Sequence, residues 1–249
     1  MRAVRPVCLS VAGFDPSGGA GVIADCKTFE QLKTTGLSVI TANTFQTEDE
    51  FSGLEWMLEN TILRQLDLLL SRYKIDAVKI GLIENGAVLL AVIDRILQRN
   101  PKAKITWDPV IRASADTSSN LQKERFQNEL NTILDRVFLV TPNVPEYTIL
   151  FGDTNPEAAA SQVKSGILLK GGHADKPGRD VLYLNGEITP MNPKISGDVQ
   201  KHGSGCVLSA AITAHIARKF PFKKSVFLGK RYTEAFLTSQ PGLLGYHSR

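Results

Sequence analysis

The chain has 249 residues, a formal net charge of +4 and 43% hydrophobic residues, enough for one large α/β domain or two small ones. With no repeat or linker-like composition shift, one domain spanning 1–249 is expected. The small basic excess is scattered, which argues against nucleic acid, and no apolar run approaches the ~18 residues of a membrane span. Cys8, Cys26 and Cys206 form no CxxC pair or metal-finger spacing, and Met1 to Pro6 carries no signal-peptide pattern, so a reduced, cytoplasmic protein is expected.

Short apolar strands alternate with amphipathic helices, which predicts a mostly parallel sheet covered on both faces, a three-layer α/β/α architecture. Val7 to Ala12 reads as a strand, followed by the turn Asp15-Pro16-Ser17-Gly18-Gly19 and a helix from Gly21 to about Thr34. A strand over Leu37 to Ala42 precedes a helix over Leu58 to Ser71, where Ile62, Leu66, Leu69 and Leu70 share a stripe. Ala77 to Ile80 is a buried strand and Gly86 to Arg99 a helix; Ile105 to Trp107 is a strand stopped by Asp108-Pro109. Residues 112–120 are polar and small, a mobile loop. Glu124 to Leu134 is helical, and Val137 to Val140 and Ile167 to Lys170 are strands. A hairpin turns at Asn185-Gly186, between Val181 to Leu184 and a strand near Ile188. Helices follow over Cys206 to Ala217 and about Val226 to Thr238.

Several strands end in Gly13, Gly81, Asp108, Asn143 and Gly171. In a doubly wound sheet such carboxyl ends border one ligand cleft. The turn Gly203-Ser204-Gly205-Cys206 opens a late helix, where free N–H groups and the helix dipole favour an anion such as a transferring phosphoryl group. The same position lowers a thiol's pKa, so Cys206 is expected to accept a proton from an attacking hydroxyl. A glycine-rich helix start with a small buried cysteine is the bland alternative.

The late block His202-Gly203-Ser204-Gly205-Cys206-Val207-Leu208-Ser209-Ala210-Ala211 resembles the HGTGC-x-LSAA signature of hydroxymethylpyrimidine/phosphomethylpyrimidine kinases, within the ribokinase superfamily. Six further blocks resemble that family in order: Val11 to Gly21, Ala24 to Phe29, Lys79 to Leu82, Asp108 to Val110, Thr141 to Glu146 and Leu169 to His173. The resemblance implies a ribokinase-like fold and transfer of phosphate from ATP, with Mg²⁺, to the hydroxymethyl group of an aminopyrimidine. It implies Cys206 as base and the Gly203, Ser204 and Gly205 backbone as the charge-stabilising turn. Gln46 is the leading substrate contact, since its amide offers a donor and an acceptor side by side. Asp25 is a second contact, and Gly13 and Leu82 belong to the same pocket. Lys170, Asn143 and Asp108 would serve the nucleotide, and Glu146 with Asp108 the metal. A homodimer is also implied.

Some segments depart from the family pattern. Ser204 stands for Thr, Phe45-Gln46-Thr47-Glu48 for AQNT, and Ile111 to Asn120 lacks the Lys-x-Gly element of a covering loop. The chain is also shorter before Lys170 and at its C-terminus. The rival readings are a pyridoxal or pyridoxine kinase and a pyrimidine-binding sensor without turnover. Gly19-x-Gly21-x-x-Ala24 mimics a dinucleotide fingerprint, but the second strand ends in Thr41 to Gln46 without the acidic residue that reading needs.

Overall fold

Alternation along each strand decides which layer a side chain enters. In β1 (Val7–Phe14), Leu9 and Val11 join one large apolar layer, while Cys8 faces the opposite one. The same division holds in β4 (Ala77–Ile80), where Val78 and Ile80 enter the large layer and Ala77 the other. The structure is a computed structural model that describes residues 4–111, 124–171, 178–195 and 199–248. The expected loop 112–120 and His173 lie outside the described residues.

The remaining strands are β2 (Thr35–Gln46), β3 (Phe51–Trp56), β5 (Lys104–Trp107), β6 (Leu139–Val140), β7 (Gly166–Leu169), β8 (Asp180–Leu184) and β9 (Glu187–Met191). They make one sheet in the order β3-β2-β1-β4-β5-β6-β7-β8-β9. The six strands from β2 to β7 in that order pair in parallel, and β3, β8 and β9 are antiparallel additions at the edges. The β8–β9 turn has Asn185 at φ 50° and Gly186 at φ 76°, the positive pair that a two-residue hairpin of this twist requires.

Helices cover both faces. α2 (Glu59–Arg72), α3 (Gly86–Arg99), α4 (Leu130–Arg136), α5 (Val144–Phe151) and α6 (Pro156–Gln162) bury their apolar stripes in the large layer. α1 (Gly21–Gln31), α7 (Ser204–Ala217) and α8 (Phe222–Leu237) supply the opposite layer. The alanine-rich α7 is buried almost all round, between the sheet and α8. At the end of β5, Trp107 is wholly buried with its ring 5.7 Å from Phe126, which anchors the residue that follows, Asp108. Truncating such a tryptophan costs about 3–5 kcal/mol.

Four expectations need correction. β2 continues to Gln46 instead of stopping at Ala42, because β3 pairs with its second half. β3 was not expected: Phe-Ser-Gly-Leu-Glu-Trp is half exposed, and Gly53 interrupts its alternation. α5 and α6 were also missed, although each begins with an asparagine cap and a proline in the first turn. The helix expected over Glu124 to Leu134 is broken by a turn at 128–129, with helical residues 124–127 before it. No described helix is long and apolar enough to cross a membrane.

Candidate active site

Two cavities open at the carboxyl ends of the strands and share a wall. The first, of 380 Å³, is bordered by Gly13, Gln46, Leu82, Val110 and Cys206 among others. The second, of 550 Å³, has an apolar side formed by Ile195, Val199, Leu208 and Leu237. Asn143, Lys170 and Gly205 border both, so these three residues mark where contents of the two chambers would meet.

The turn at that junction is built by backbone geometry. Gly203 adopts φ 71°, ψ 12°, and a methyl group on it would collide with the carbonyl oxygen of Gly19. Only glycine combines this conformation with this approach. The α7 ladder starts with Val207 N–H on Gly203 O, and Ser204 N–H turns back to Lys201 O. The N–H groups of Gly205 and Cys206 have no acceptor among the described residues. Free N–H groups at a helix start are able to receive an anion.

Across from this turn lies the loop after β1, folded around one carboxylate. Asp15 accepts the N–H of Ser17 at 2.9 Å and of Ala20 at 2.7 Å, and lies 2.9 Å from His202 Nε2. Burial alone would raise Asp15, but His202, Ser17 and the Ala20 N–H outweigh it and lower its pKa to about 2. The other end of the turn is tied to the C-terminal segment. Lys201 Nζ donates to the carbonyls of Gln240 and Gly242, and His202 N–H to Leu243 O at 2.9 Å.

Asp108 is the electrostatic hub. Its Oδ1 lies 2.8 Å from Lys170 Nζ and 2.9 Å from Thr141 Oγ1, and its Oδ2 3.0 Å from Ser209 Oγ. Burial opposes its charge, but Lys170 and then Lys79 hold its carboxyl below the ordinary range. Lys170 also lies 3.8 Å from Glu146, and these two acids keep its ammonium protonated against the effect of burial. Asn143 and Glu146 form a reciprocal capping box at the start of α5, each side chain accepting the other's backbone N–H at 2.8 Å. The Asn-x-x-Glu spacing therefore has a structural duty besides any duty toward a ligand.

A model of the phosphomethylpyrimidine kinase family matches residues 15–248. The chain belongs to that family. Over 94% of its length it is 30% identical to a hydroxymethylpyrimidine/phosphomethylpyrimidine kinase of Rhizobium meliloti, covering 91% of that protein. It is 31% identical to the thiamine biosynthesis multifunctional protein ThiED of Corynebacterium efficiens, of which it spans 34%. The ribokinase-like fold is shared with Staphylococcus aureus pyridoxal kinase in complex with AMP-PCP, at TM-score 0.82 and 24% identity over 95% of this chain and 89% of that one.

Within this kinase family frame, the structure brings together most of the residues singled out in the sequence. Gly13, Gln46, Leu82, Asp108, Asn143, Glu146, Lys170, Gly203, Gly205 and Cys206 all border the first cavity. Ser204 borders the second. Gln46 ends β2 with its amide unpaired among the described residues.

Two expectations change. Asp25 does not border the cavity; it is wholly buried and paired with Lys79 at 2.8 Å, because its position on α1 faces the sheet and not the cleft. Cys206 is not acidified. Burial, the largest influence, pushes its thiol up to about 11, and Asp25 and Asp108 add to the rise, while Lys79 and the Gly21 N–H only partly offset it. The general effect of a helix N-terminus is outweighed here by enclosure and two carboxylates.

Residues not singled out also belong to the site. Lys79 borders the first cavity, and Asp180 and Lys230 border the second as a 2.7 Å ion pair. Lys79 stood inside the Lys79 to Leu82 block, but nothing local marked its charge as buried in the cleft.

The described residues contain no cluster of three acidic, histidine or cysteine side chains able to hold a metal alone. Mg²⁺ needs no such cluster, since it keeps several waters and is bound through one or two carboxylates and the phosphates of its nucleotide. Glu146, bordering the first cavity beside Lys170, has the right chemistry for such a partial shell. Asp108 is already engaged by Lys170, Thr141 and Ser209, so it suits the charge network better than direct coordination.

Proposed function

We propose that the chain transfers the γ-phosphoryl group of ATP to the hydroxymethyl group of 4-amino-5-hydroxymethyl-2-methylpyrimidine, and then phosphorylates the monophosphate, in thiamine synthesis. The observation that carries this reading is the pair of chambers joined at Lys170 and Gly205, with Gln46 and Cys206 in one of them. The Gln46 amide suits the adjacent amino group and ring nitrogen of an aminopyrimidine. The apolar side of the other chamber suits a nucleobase.

In this reading the acceptor hydroxyl lies toward Cys206 and the nucleotide phosphates toward Lys170 and the start of α7. The acceptor oxygen bonds to the γ-phosphorus, the bond to the nucleoside diphosphate breaks, and the hydroxyl proton passes to the Cys206 sulfur. Phosphoryl transfer is largely dissociative, so proton removal comes late and positioning with charge neutralisation dominates. Lys170 and the free N–H groups of Gly205 and Cys206 neutralise the transferring oxygens. Glu146 would hold Mg²⁺, which supplies charge neutralisation to the phosphates when bound.

The reading treats 1–249 as a single domain, supported by the one sheet, and includes a cytoplasmic homodimer whose state sedimentation would measure. The testing experiment is ATP consumption with hydroxymethylpyrimidine, its monophosphate and pyridoxal as separate acceptors. Turnover of both pyrimidines ahead of pyridoxal is expected. Preference for pyridoxal would replace the reading with a pyridoxal kinase, and tight pyrimidine binding without turnover would replace it with a sensor.

A further inference from the structure

An ion pair lies at the acceptor cavity that the transfer described above leaves without a task. Lys79 on β4 and Asp25 on α1 are both wholly buried, with Nζ 2.8 Å from Oδ2, and Ser10 Oγ donates to that same oxygen at 2.5 Å. Burying two charges is expensive, and an apolar pair would brace α1 against the sheet at least as well. Three observations set this pair apart from a brace. The lysine borders the acceptor cavity together with Cys206. Gly81 keeps room for the ammonium, since a methyl group there would fall 2.7 Å from Nζ. An ammonium has three N–H donors, and Asp25 is its one hydrogen-bond acceptor among the described residues.

We propose that Lys79 is a positioning residue for Cys206: its ammonium, held in place by Asp25 and Ser10, stabilises the thiolate that takes the acceptor's proton. This deepens the role given to Cys206 under the proposed function and rests on it. The step balances. The acceptor O–H proton moves to the sulfur as the new O–P bond forms and the bond to the nucleoside diphosphate breaks, and the thiol later returns its proton to solvent.

The charges acting on Cys206 come from several elements. Lys79 on β4 and Lys170 after β7 favour the thiolate, whereas Asp25 on α1 and Asp108 after β5 oppose it. The Gly21 N–H adds a smaller favourable contribution, and Glu146 and the Asp15–His202 pair border the same cavity. Among the charged side chains, Lys79 acts most strongly on this thiol. Its removal would leave the two carboxylates facing the sulfur with much less compensation.

The test compares Lys79→Met, Lys79→Gln and Lys79→Arg in the full chain. Iodoacetamide alkylation of Cys206 is followed by peptide mass spectrometry at several pH values below the thiol's midpoint, with Cys8 as internal control. The Met variant is expected to alkylate at least about threefold more slowly at each pH, as a smaller thiolate fraction is partly offset by higher nucleophilicity. The Gln variant should slow likewise, and the Arg variant, which keeps the charge, should stay near the parent. In turnover, Lys79→Met should lower kcat while the KM for ATP holds, and Lys79→Arg should restore kcat. An unmoved Cys206 alkylation rate in folded Lys79→Met overturns the proposal. So does a raised acceptor KM with unmoved alkylation, which would make Lys79 a substrate contact. If the Met variant fails to fold, an unmoved Cys206 alkylation rate in Lys79→Gln overturns it instead. The alkylation comparison needs no turnover, so it stands even if the kinase reading fails.

Discussion

Asp15 and His202 are 187 residues apart in the chain and 2.9 Å apart in space, joined through Oδ2 and Nε2. That one contact holds the loop after β1 against the turn that opens α7, and the cavity wall includes both residues. Its energetic weight follows from linkage. Asp15 is 1% exposed, and its pKa falls from 3.8 to about 2 on folding. A depressed carboxyl pKa stabilises the fold above the unfolded value and loses that stabilisation as pH falls through the folded one. Asp15→Asn should therefore cost about 2 kcal/mol at neutral pH, or about 4–8 °C in Tm. The gap between the variant and the parent should shrink steadily between pH 4 and pH 2, as calorimetry at stepped pH would show.

With the Cys206 thiol near 11, the thiolate grows as pH rises across the whole working range below that value. Log kcat should climb with pH where proton transfer limits turnover, with no plateau before about pH 10. Cys206→Asp places a group whose ordinary pKa lies about four to five units below a thiol's, so the variant should keep measurable activity and move the rise to lower pH. A rise that stays at the same pH in Cys206→Asp would remove Cys206 from the proton path.

The two glycines of the turn should fail in different ways. Gly203→Ala forces a side chain into positive φ and into Gly19, so it should lose more than about 1 kcal/mol of stability along with activity. At Gly205 the added methyl meets the end of the Lys170 side chain at 3.3 Å and Asp108 Oδ2 at 4.0 Å. Gly205→Ala should melt like the parent, yet its kcat should drop by about a hundredfold because the methyl occupies the junction of the chambers. Thermal melts run beside steady-state rates separate the two outcomes.

Gln46→Ala should reduce kcat/KM for the aminopyrimidine by about 10- to 100-fold through loss of a paired donor and acceptor. The KM for ATP should not move, since Gln46 borders only the first chamber. Equal losses for both substrates would mean that the β2–β3 edge had shifted instead.

Much of this site could be read in the sequence because strand ends are local signals. Gly13, Leu82, Asp108, Asn143 and Lys170 each follow or end a short apolar run, and the parallel sheet gathers such ends on one side. The start of α7 was equally visible, since glycine at a helix entry carries its own geometry. Other features depended on distant partners. Asp25 and Lys79 are 54 residues apart, and only the pairing of β1 with β4 under α1 reveals that both charges are buried. The direction of the Cys206 shift has the same origin, because enclosure and the carboxylates of Asp25 and Asp108 are tertiary facts. The β3 strand was hidden for a different reason: it is an edge with one half-exposed face and no alternation to reveal it.

Lys170, placed between Asp108 at 2.8 Å and Glu146 at 3.8 Å, also bears on the sequence of arrivals at the site. The ammonium is a cation of the chain's own beside both carboxylates, so under the proposed function free Mg²⁺ would meet a competitor there. Phosphate oxygens would offer that ammonium another anionic partner. Under the proposed function, a bound nucleotide would then ease the entry of its own metal at Glu146, the carboxylate 3.8 Å from that ammonium.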